Sequence, residues 1–377
     1  MNTLGIYIHI PFCKSKCFYC DFYSSCDNNK DIISQYIDAV CKEILSNAEL
    51  FYEKKIETIY IGGGTPSVLE IEELKKFLDV LKLFNISPME VTVEINPENT
   101  TKEKLQAYFD MGINRLSIGL QSANNDTLKK IGRLATKEDF LRVYNDAVEV
   151  GFKNISCDVI IGLPDETLED FKNTINFVLG LKHITHISSY SLEVHENTKL
   201  DFLINNGFVT LPDEETEREM KHFLDSKLKE AGFERYEISN YAKPGFESKH
   251  NLKYWNQEEY LGFGAAAASF LNSTRYSNIK DTKKYIENIL TGTSNKEEIE
   301  EMDKLDLIKE YVILRLRLKD GVNFDTFKSK FKMDIFSLFK DIIEKLVLDG
   351  LLVKTDDRIY LTDKGEDLAN IVWQEFI

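Results

Sequence analysis

The chain has 377 residues, 43% of them apolar, and a formal net charge of −16 from 47 basic and 63 acidic side chains. That length accommodates one large α/β domain of roughly 200–250 residues with a smaller companion, and the apolar content is that of a globular protein with a real core. The acidic balance argues against broad binding to a phosphate backbone. The first residues lack a basic start followed by an apolar run, and the longest weakly polar stretch, Leu261 to Leu271, falls short of the roughly 20 residues that span a bilayer, so a soluble, cytoplasmic protein is expected.

In chain order, six short runs rich in Ile, Val and Tyr come first: Gly5–Ile10, Glu57–Ile61, Glu90–Ile95, Arg115–Gly119, Ile155–Ile161 and His186–Leu192. Between them lie segments with helical spacing, such as Ile33, Tyr36, Ile37, Val40, Cys41, Ile44 and Leu45, or Leu74, Phe77, Leu78 and Leu81. This alternation implies a parallel sheet with crossover helices, and runs apolar at nearly every position suit strands covered on both faces. A cysteine loop follows the first run and Gly62-Gly63-Gly64-Thr65-Pro66 the second. Glu94 closes the third, Gln121 follows the fourth, Asp158 lies within the fifth and Ser191 closes the sixth. Unusual residues thus gather at carboxyl ends of strands, where (β/α) barrels place their sites. Six strands cannot close an eight-stranded barrel, so an open, partial (β/α)6 TIM-like barrel is expected over residues 1–205.

Residues 206–300 read as an extension. It holds a helix from Asp213 to Leu228 capped by Asp213, a strand over Glu234–Ile238, and a polar connector at 272–300. Residues 301–377 show helices at Leu305–Leu318, Asp325–Phe331 and Ile335–Leu348, then two short strands around Asp356-Asp357 and a final helix. This pattern suggests an α+β, winged-helix-like domain. Such modules bind DNA or serve as packing and partner modules. Sixteen acidic against thirteen basic residues from position 301 onward argue against nucleic acid.

The densest chemical signal is Cys13, Cys17 and Cys20, spaced Cys-x3-Cys-x2-Cys in YIHIPFCKSKCFYCDF. A disulfide would leave one of the three unpaired, and a structural zinc site would need a fourth ligand from elsewhere. Three thiolates on one short loop can hold three irons of a cubane cluster and leave the fourth without a protein ligand. The glycine run Gly62–Gly64 is a tight turn, or a place where a ligand approaches the backbone. Glu94, Gln121, Arg133 and Asp158 are candidate polar contacts, with salt bridges or helix caps as the ordinary alternative; Arg133 can grip a carboxylate with two prongs. Cys26, Cys41 and Cys157 show no cluster role.

The cysteine spacing, with the aromatic Tyr19 before Cys20, resembles the radical S-adenosylmethionine (SAM) superfamily. That resemblance implies a 4Fe-4S cluster on the three cysteines and SAM chelating the open iron, whose reductive cleavage gives a 5′-deoxyadenosyl radical. The runs YIHIPFC, CFYCDF, GGGTPS, EINPE, RLSIGLQS and DVIIGLP are together similar to the oxygen-independent coproporphyrinogen III oxidase family, as is GFGAAAAS at 262–269. By that resemblance Tyr7, Tyr19, Gly63, Gly64, Thr65, Glu94, Gln121, Arg133, Asp158 and Ser191 line SAM sites.

Three features depart from the oxidases and resemble the heme chaperone, HemW-type, branch. Phe22 stands where the oxidases carry a further cysteine, the chain starts four residues before its first strand, and it contains His250-Asn251-Leu252-Lys253-Tyr254-Trp255, an HNxxYW motif. His250 is then a candidate axial ligand to heme iron, with Tyr254 and Trp255 as flat apolar area for a porphyrin face; the bland reading is a histidine beside two core aromatics. His9, between two isoleucines, reaches into the barrel or is a satisfied core histidine. The resemblance implies a heme chaperone that binds SAM and passes heme to respiratory proteins. It also implies a flavodoxin or ferredoxin electron donor, a homodimer and transient membrane contact, without coproporphyrinogen oxidation. The alternative is the oxidase reaction itself, in porphyrin metabolism.

Overall fold

The computed structural model describes residues 3–84 and 86–377. Six strands pair in parallel and in sequence order: β1 (Thr3–Ile10), β2 (Lys55–Gly63), β3 (Glu90–Ile95), β4 (Arg115–Gln121), β5 (Asn154–Ile161) and β6 (His186–Ser191). Antiparallel β7 (Glu234–Glu237) and β8 (Asn240–Ala242) continue the sheet beyond β6. At the other end β9 (Tyr260–Phe263) pairs in parallel with β1, and β10 (Ala268–Leu271), β11 (Thr274–Asn278) and β12 (Lys296–Glu301) follow antiparallel, completing a sheet of twelve strands. The expected partial α/β barrel is present, as the six-stranded heart of a longer sheet.

The strands alternate more strictly than their apolar look suggests. In β4, Leu116, Ile118 and Leu120 join the helices in the main core, while Arg115, Ser117, Gly119 and Gln121 face the barrel interior. In β3, Val91, Val93 and Ile95 are in the core and Glu94 faces inward. Period-two alternation thus sets an apolar outer layer against a polar lumen. The crossover helices begin at side-chain caps, as where Thr136 and Asp139 form a reciprocal box before Lys137–Val150, and bury residues such as Phe140 and Val143 against the sheet.

Two sequence expectations differ from the structure. The polar stretch 272–300 is no connector; it forms β11, the helix Thr282–Thr291 and β12. Nothing in KEEIEE betrays β12, since every residue of it is exposed and its order comes from main-chain pairing to β11. The extension does not stand apart either, because its strands prolong both ends of the sheet.

The last residues form a separate apolar core around Tyr311, Val312, Phe327, Ile343 and Val372. Helices Lys304–Leu316, Phe324–Phe331 and Phe336–Leu348 pack with a small sheet of β13 (Val322–Asn323), β14 (Leu352–Lys354) and β15 (Arg358–Leu361), in the order β13-β15-β14. This unit docks beside β7. The Ile238 N–H donates to the Arg317 carbonyl at 3.1 Å and the Lys319 N–H to the Tyr236 carbonyl at 3.0 Å. Among the described residues no helix is long and apolar enough to cross a membrane.

Candidate functional site

A cavity of about 1030 Å³ opens where the parallel strands end, floored by the barrel interior and walled on one side by the C-terminal unit. The cysteine loop forms its opposite wall. Two hydrogen bonds close that loop at its base, from the Cys13 N–H to the Ser25 carbonyl (2.9 Å) and from the Ser25 N–H to the Pro11 carbonyl (2.8 Å). A third pins its middle, from the Phe18 N–H to the Ile131 carbonyl at 2.9 Å. Gly132, at φ +75°, keeps clear of the Phe18 ring, which a Cβ would meet at 2.5 Å. The loop therefore presents Cys13, Cys17 and Cys20 along one edge of the cavity.

Donors from neighbouring loops reach these sulfurs. The Thr65 hydroxyl lies 3.3 Å from Cys13 Sγ, and Arg133 Nη1 lies 3.8 Å from Cys17 Sγ. Burial pushes the Cys13 thiol up, and the Cys20 thiol up to about 11. Gly64 has no room for a side chain, since a Cβ would sit 2.9 Å from the Ile10 and Phe12 carbonyls and 3.1 Å from Cys13 Sγ. Among the described residues no trio of His, Cys, Asp or Glu closes on a single ion position. A cubane asks for sulfurs spread over three irons, so a loop lining a cavity fits it on geometry and on donor chemistry.

The second glycine of the run, Gly63, has φ +109° and ends β2 in a turn that exposes its backbone to the cavity. Its N–H donates to Glu94 Oε2 at 3.2 Å, while the Tyr60 hydroxyl donates to Glu94 Oε1 at 2.7 Å. Enclosure in the barrel raises Glu94 to about 7. Asp158 is also raised by burial, opposed by hydrogen bonds from the hydroxyls of Ser117 (3.0 Å to each oxygen) and Ser156 (3.3 Å). Arg133 is fixed by Asn96 Oδ1 (3.1 Å) and the Gly119 carbonyl (3.0 Å). Gln121 adopts a left-handed φ of +69° at the end of β4, a strained position for a residue with a side chain.

Tyr19, Gly63, Gly64, Thr65, Glu94, Gln121, Arg133, Asp158 and Ser191 all line the one cavity with the three cysteines; Tyr7 and His250 do not. The Tyr7 hydroxyl lies 3.0 Å from His9 Nδ1, and His9 Nε2 lies 2.9 Å from the Tyr23 carbonyl, so His9 is a satisfied core histidine.

His250 sits at the foot of the barrel on the helix Lys249–Trp255, only 1% exposed. Its Nδ1 pairs with the Thr58 hydroxyl at 2.8 Å, its Nε2 with the Tyr254 hydroxyl at 2.7 Å, and its ring stacks on Tyr60. Burial, helped by Lys253 and Arg115, lowers it to about 3. As folded, neither ring nitrogen is open to an iron; an axial-ligand role would require His250 to surrender one of these bonds and leave the floor. The HNLKYW segment instead plugs the barrel. Glu90 accepts the N–H groups of Lys249 and His250 (3.1 and 3.0 Å), and the buried Lys253 pairs with Glu57 and Glu258, each at 2.9 Å. Its Asn251 does reach the cavity.

Sequence reasoning missed Tyr60, Arg115 and Ser117 on the floor and Arg317 and Trp373 on the far wall, all of which line the cavity. Arg115, a lone charge opening an apolar run, carried a readable signal. Arg317 and Trp373 carried none, being more than 100 residues distant in sequence from the last barrel strand.

The chain matches the family model described as the radical SAM superfamily over residues 7–178, and that of the HemN C-terminal domain over 302–368. It is 37% identical over 375 residues to the heme chaperone HemW of Bacillus subtilis, covering 98% of each chain. The Lactococcus lactis heme chaperone HemW is likewise 37% identical, over 98% of this chain and 96% of that one. Among solved structures, the radical SAM enzyme coproporphyrinogen III oxidase (HemN) of Escherichia coli aligns with a TM-score of 0.86 at 23% identity, over 100% of this chain and 90% of that one; this likeness establishes the shared fold.

Proposed function

The chain belongs to the heme chaperone HemW family, within the radical SAM superfamily, and from that premise we propose that it binds a 4Fe-4S cluster, SAM and heme and hands the heme to acceptor proteins of respiration. Cys13, Cys17 and Cys20 hold the cluster, and Thr65 and Arg133 steady two of the sulfurs. When bound, the cluster supplies an open iron and an electron. The bare backbone of Gly63 and Gly64 gives SAM a close approach. Glu94 and Asp158, held open by hydroxyl donors, offer acceptors to ribose hydroxyls and an ammonium, and Arg133 orients its neighbours through Asn96. Heme is cargo, and the cluster serves assembly or gating rather than porphyrin oxidation.

The observation that carries this reading is the likeness to heme chaperones along 98% of the chain, cysteine loop, HNLKYW segment and C-terminal unit together. The test is anaerobic reconstitution followed by hemin titration, then incubation of the loaded protein with a heme-free respiratory acceptor. Stoichiometric hemin binding and transfer are expected, with no protoporphyrinogen formed from coproporphyrinogen III, SAM and reductant. Turnover of coproporphyrinogen, or failure to take up hemin, overturns the assignment.

A further inference from the structure

The cavity, at about 1030 Å³, stands at the top of the range of about 300–1,000 Å³ found for pockets that hold a single drug-sized ligand. The cysteines, the glycine turn, Glu94 and Asp158 come from the barrel, whereas the C-terminal unit contributes Arg317, Ile371 and Trp373 together with Glu366 and Asp367. The opposite wall, built where the HNLKYW helix meets the C-terminal unit, has a different chemistry.

Arg317 follows the helix Lys304–Leu316 and borders the cavity together with Trp373, Ile371 and Ile238. Its guanidinium packs against two indole rings, 4.4 Å from the centroid of Trp255 and 4.9 Å from that of Trp373. These are the only two tryptophans in the chain. A planar guanidinium packed against aromatic rings donates its hydrogen bonds along its own plane. Its Nε is buried without a partner, and the indole N–H groups of Trp255 and Trp373 are buried without partners too. The neighbouring Glu237 attracts the charge through space but makes no hydrogen bond or ion pair to it: its Oε1 accepts from the Ser239 N–H at 3.1 Å and from the Asn240 side chain, and its Oε2 is buried without a partner. The other cations of this junction are committed, Arg235 to Asp225 and Glu366, and Lys319 to Glu366. Orphaned donors in a low-dielectric wall are costly unless a ligand completes them. Flat indoles beside a free cation suit a flat apolar body that carries a carboxylate.

We propose that the heme cargo is seated against this wall, Trp373 and Ile371 facing the macrocycle and Arg317 gripping a propionate, with Trp255 backing the guanidinium from outside the cavity, so that the HNLKYW segment serves heme by supporting Arg317 through Trp255 rather than through His250. This rests on the heme-chaperone reading and adds to it the subsite and its specificity residue. Arg317 is a binding residue here and has no part in iron ligation.

The test uses full-length, cluster-reconstituted protein and two metal-free probes, protoporphyrin IX and its dimethyl ester, so that axial ligation plays no part. A charge-assisted hydrogen bond to a desolvated carboxylate should make the wild type favour the free acid by about 10- to 100-fold in Kd. Arg317→Met should abolish that preference while leaving ester affinity within about threefold, and Arg317→Lys should restore part of it. Equal affinity of the wild type for acid and ester overturns the inference, as does a preference that survives Arg317→Met. The wild-type comparison alone decides the matter if the variants misfold. Binding of neither porphyrin removes the heme-cargo reading and this inference with it, whereas binding without discrimination removes the inference alone.

Discussion

Glu94 lines the cavity and His250 sits beneath it at the foot of the barrel, and burial moves the two in opposite directions, each toward its neutral form. Glu94, raised from 4.5 to about 7, binds its proton more tightly in the folded chain than in the unfolded one. Its contribution to stability is therefore complete below 4.5 and lost as pH rises through about 7. Glu94→Gln should flatten the fall of melting temperature with rising pH across that window and make the ligand-free protein more stable than wild type at alkaline pH, as calorimetry would read. An unchanged pH profile would mean that the carboxyl is better solvated than its place beside Tyr60 and Gly63 indicates. His250, lowered from 6.5 to about 3, has the opposite sign: its share of stability is present above 6.5 and lost as pH falls toward 3. His250→Gln should make acid unfolding shallower over that range. It should also leave the spectrum of bound hemin as in the wild type, because both ring nitrogens already have hydroxyl partners. A changed hemin spectrum would restore the axial-ligand reading.

Among the elements, the turn that ends β2 is the most demanding. Gly63 stands at φ +109°, and a Cβ there would meet the His9 ring at 2.6 Å. Gly63→Ala should cost about 1–3 kcal/mol in chemical denaturation, the toll of a left-handed alanine plus a displaced histidine, and should weaken SAM binding more than heme binding. Such positions can be read from sequence, because three successive glycines after an apolar run have few other uses. The six barrel strands were legible for a similar reason: their outer faces are apolar at every second residue, and crossover helices separate them. The outer strands β11 and β12 were not, since TRYSN buries a single apolar residue, Tyr276, and KEEIEE buries none, and both are ordered by pairing with a neighbour already in place. The same limit applies to the HNLKYW helix. Its histidine and aromatics look like ligand-binding groups in sequence, and only the packing reveals that His250 and Lys253 plug the barrel while Asn251 and Trp255 turn to other neighbours.

At the scale of the molecule, two apolar cores meet across a polar seam. The cysteine side of the cavity could be read from motifs; its far wall could not, because Arg317 and Trp373 reach it only when the C-terminal unit docks. The seam is held by main-chain bonds around Ile238 and Lys319 and by ion pairs such as Arg235 with Glu366, contacts that yield to denaturant more readily than a packed core. Both tryptophans sit on this seam, so their emission reports on it. In a urea titration, fluorescence should change at lower concentration than far-ultraviolet circular dichroism, and heme should bring the two transitions together. Coincident curves in the absence of heme would show that the two cores unfold as one.

A twelve-stranded ribbon has two free flanks where another copy could add on. The C-terminal unit shields the flank at β7, through the bond from the Ile238 N–H to the Arg317 carbonyl and the bridge between Glu237 and Leu318. The flank at β12 is open, and there the chain places Glu297, Glu298, Glu300 and Glu301 around a single isoleucine. Two such borders brought together would set like charges face to face, so the margin of the sheet repels its own kind and the protein stays clear of runaway strand addition at neutral pH.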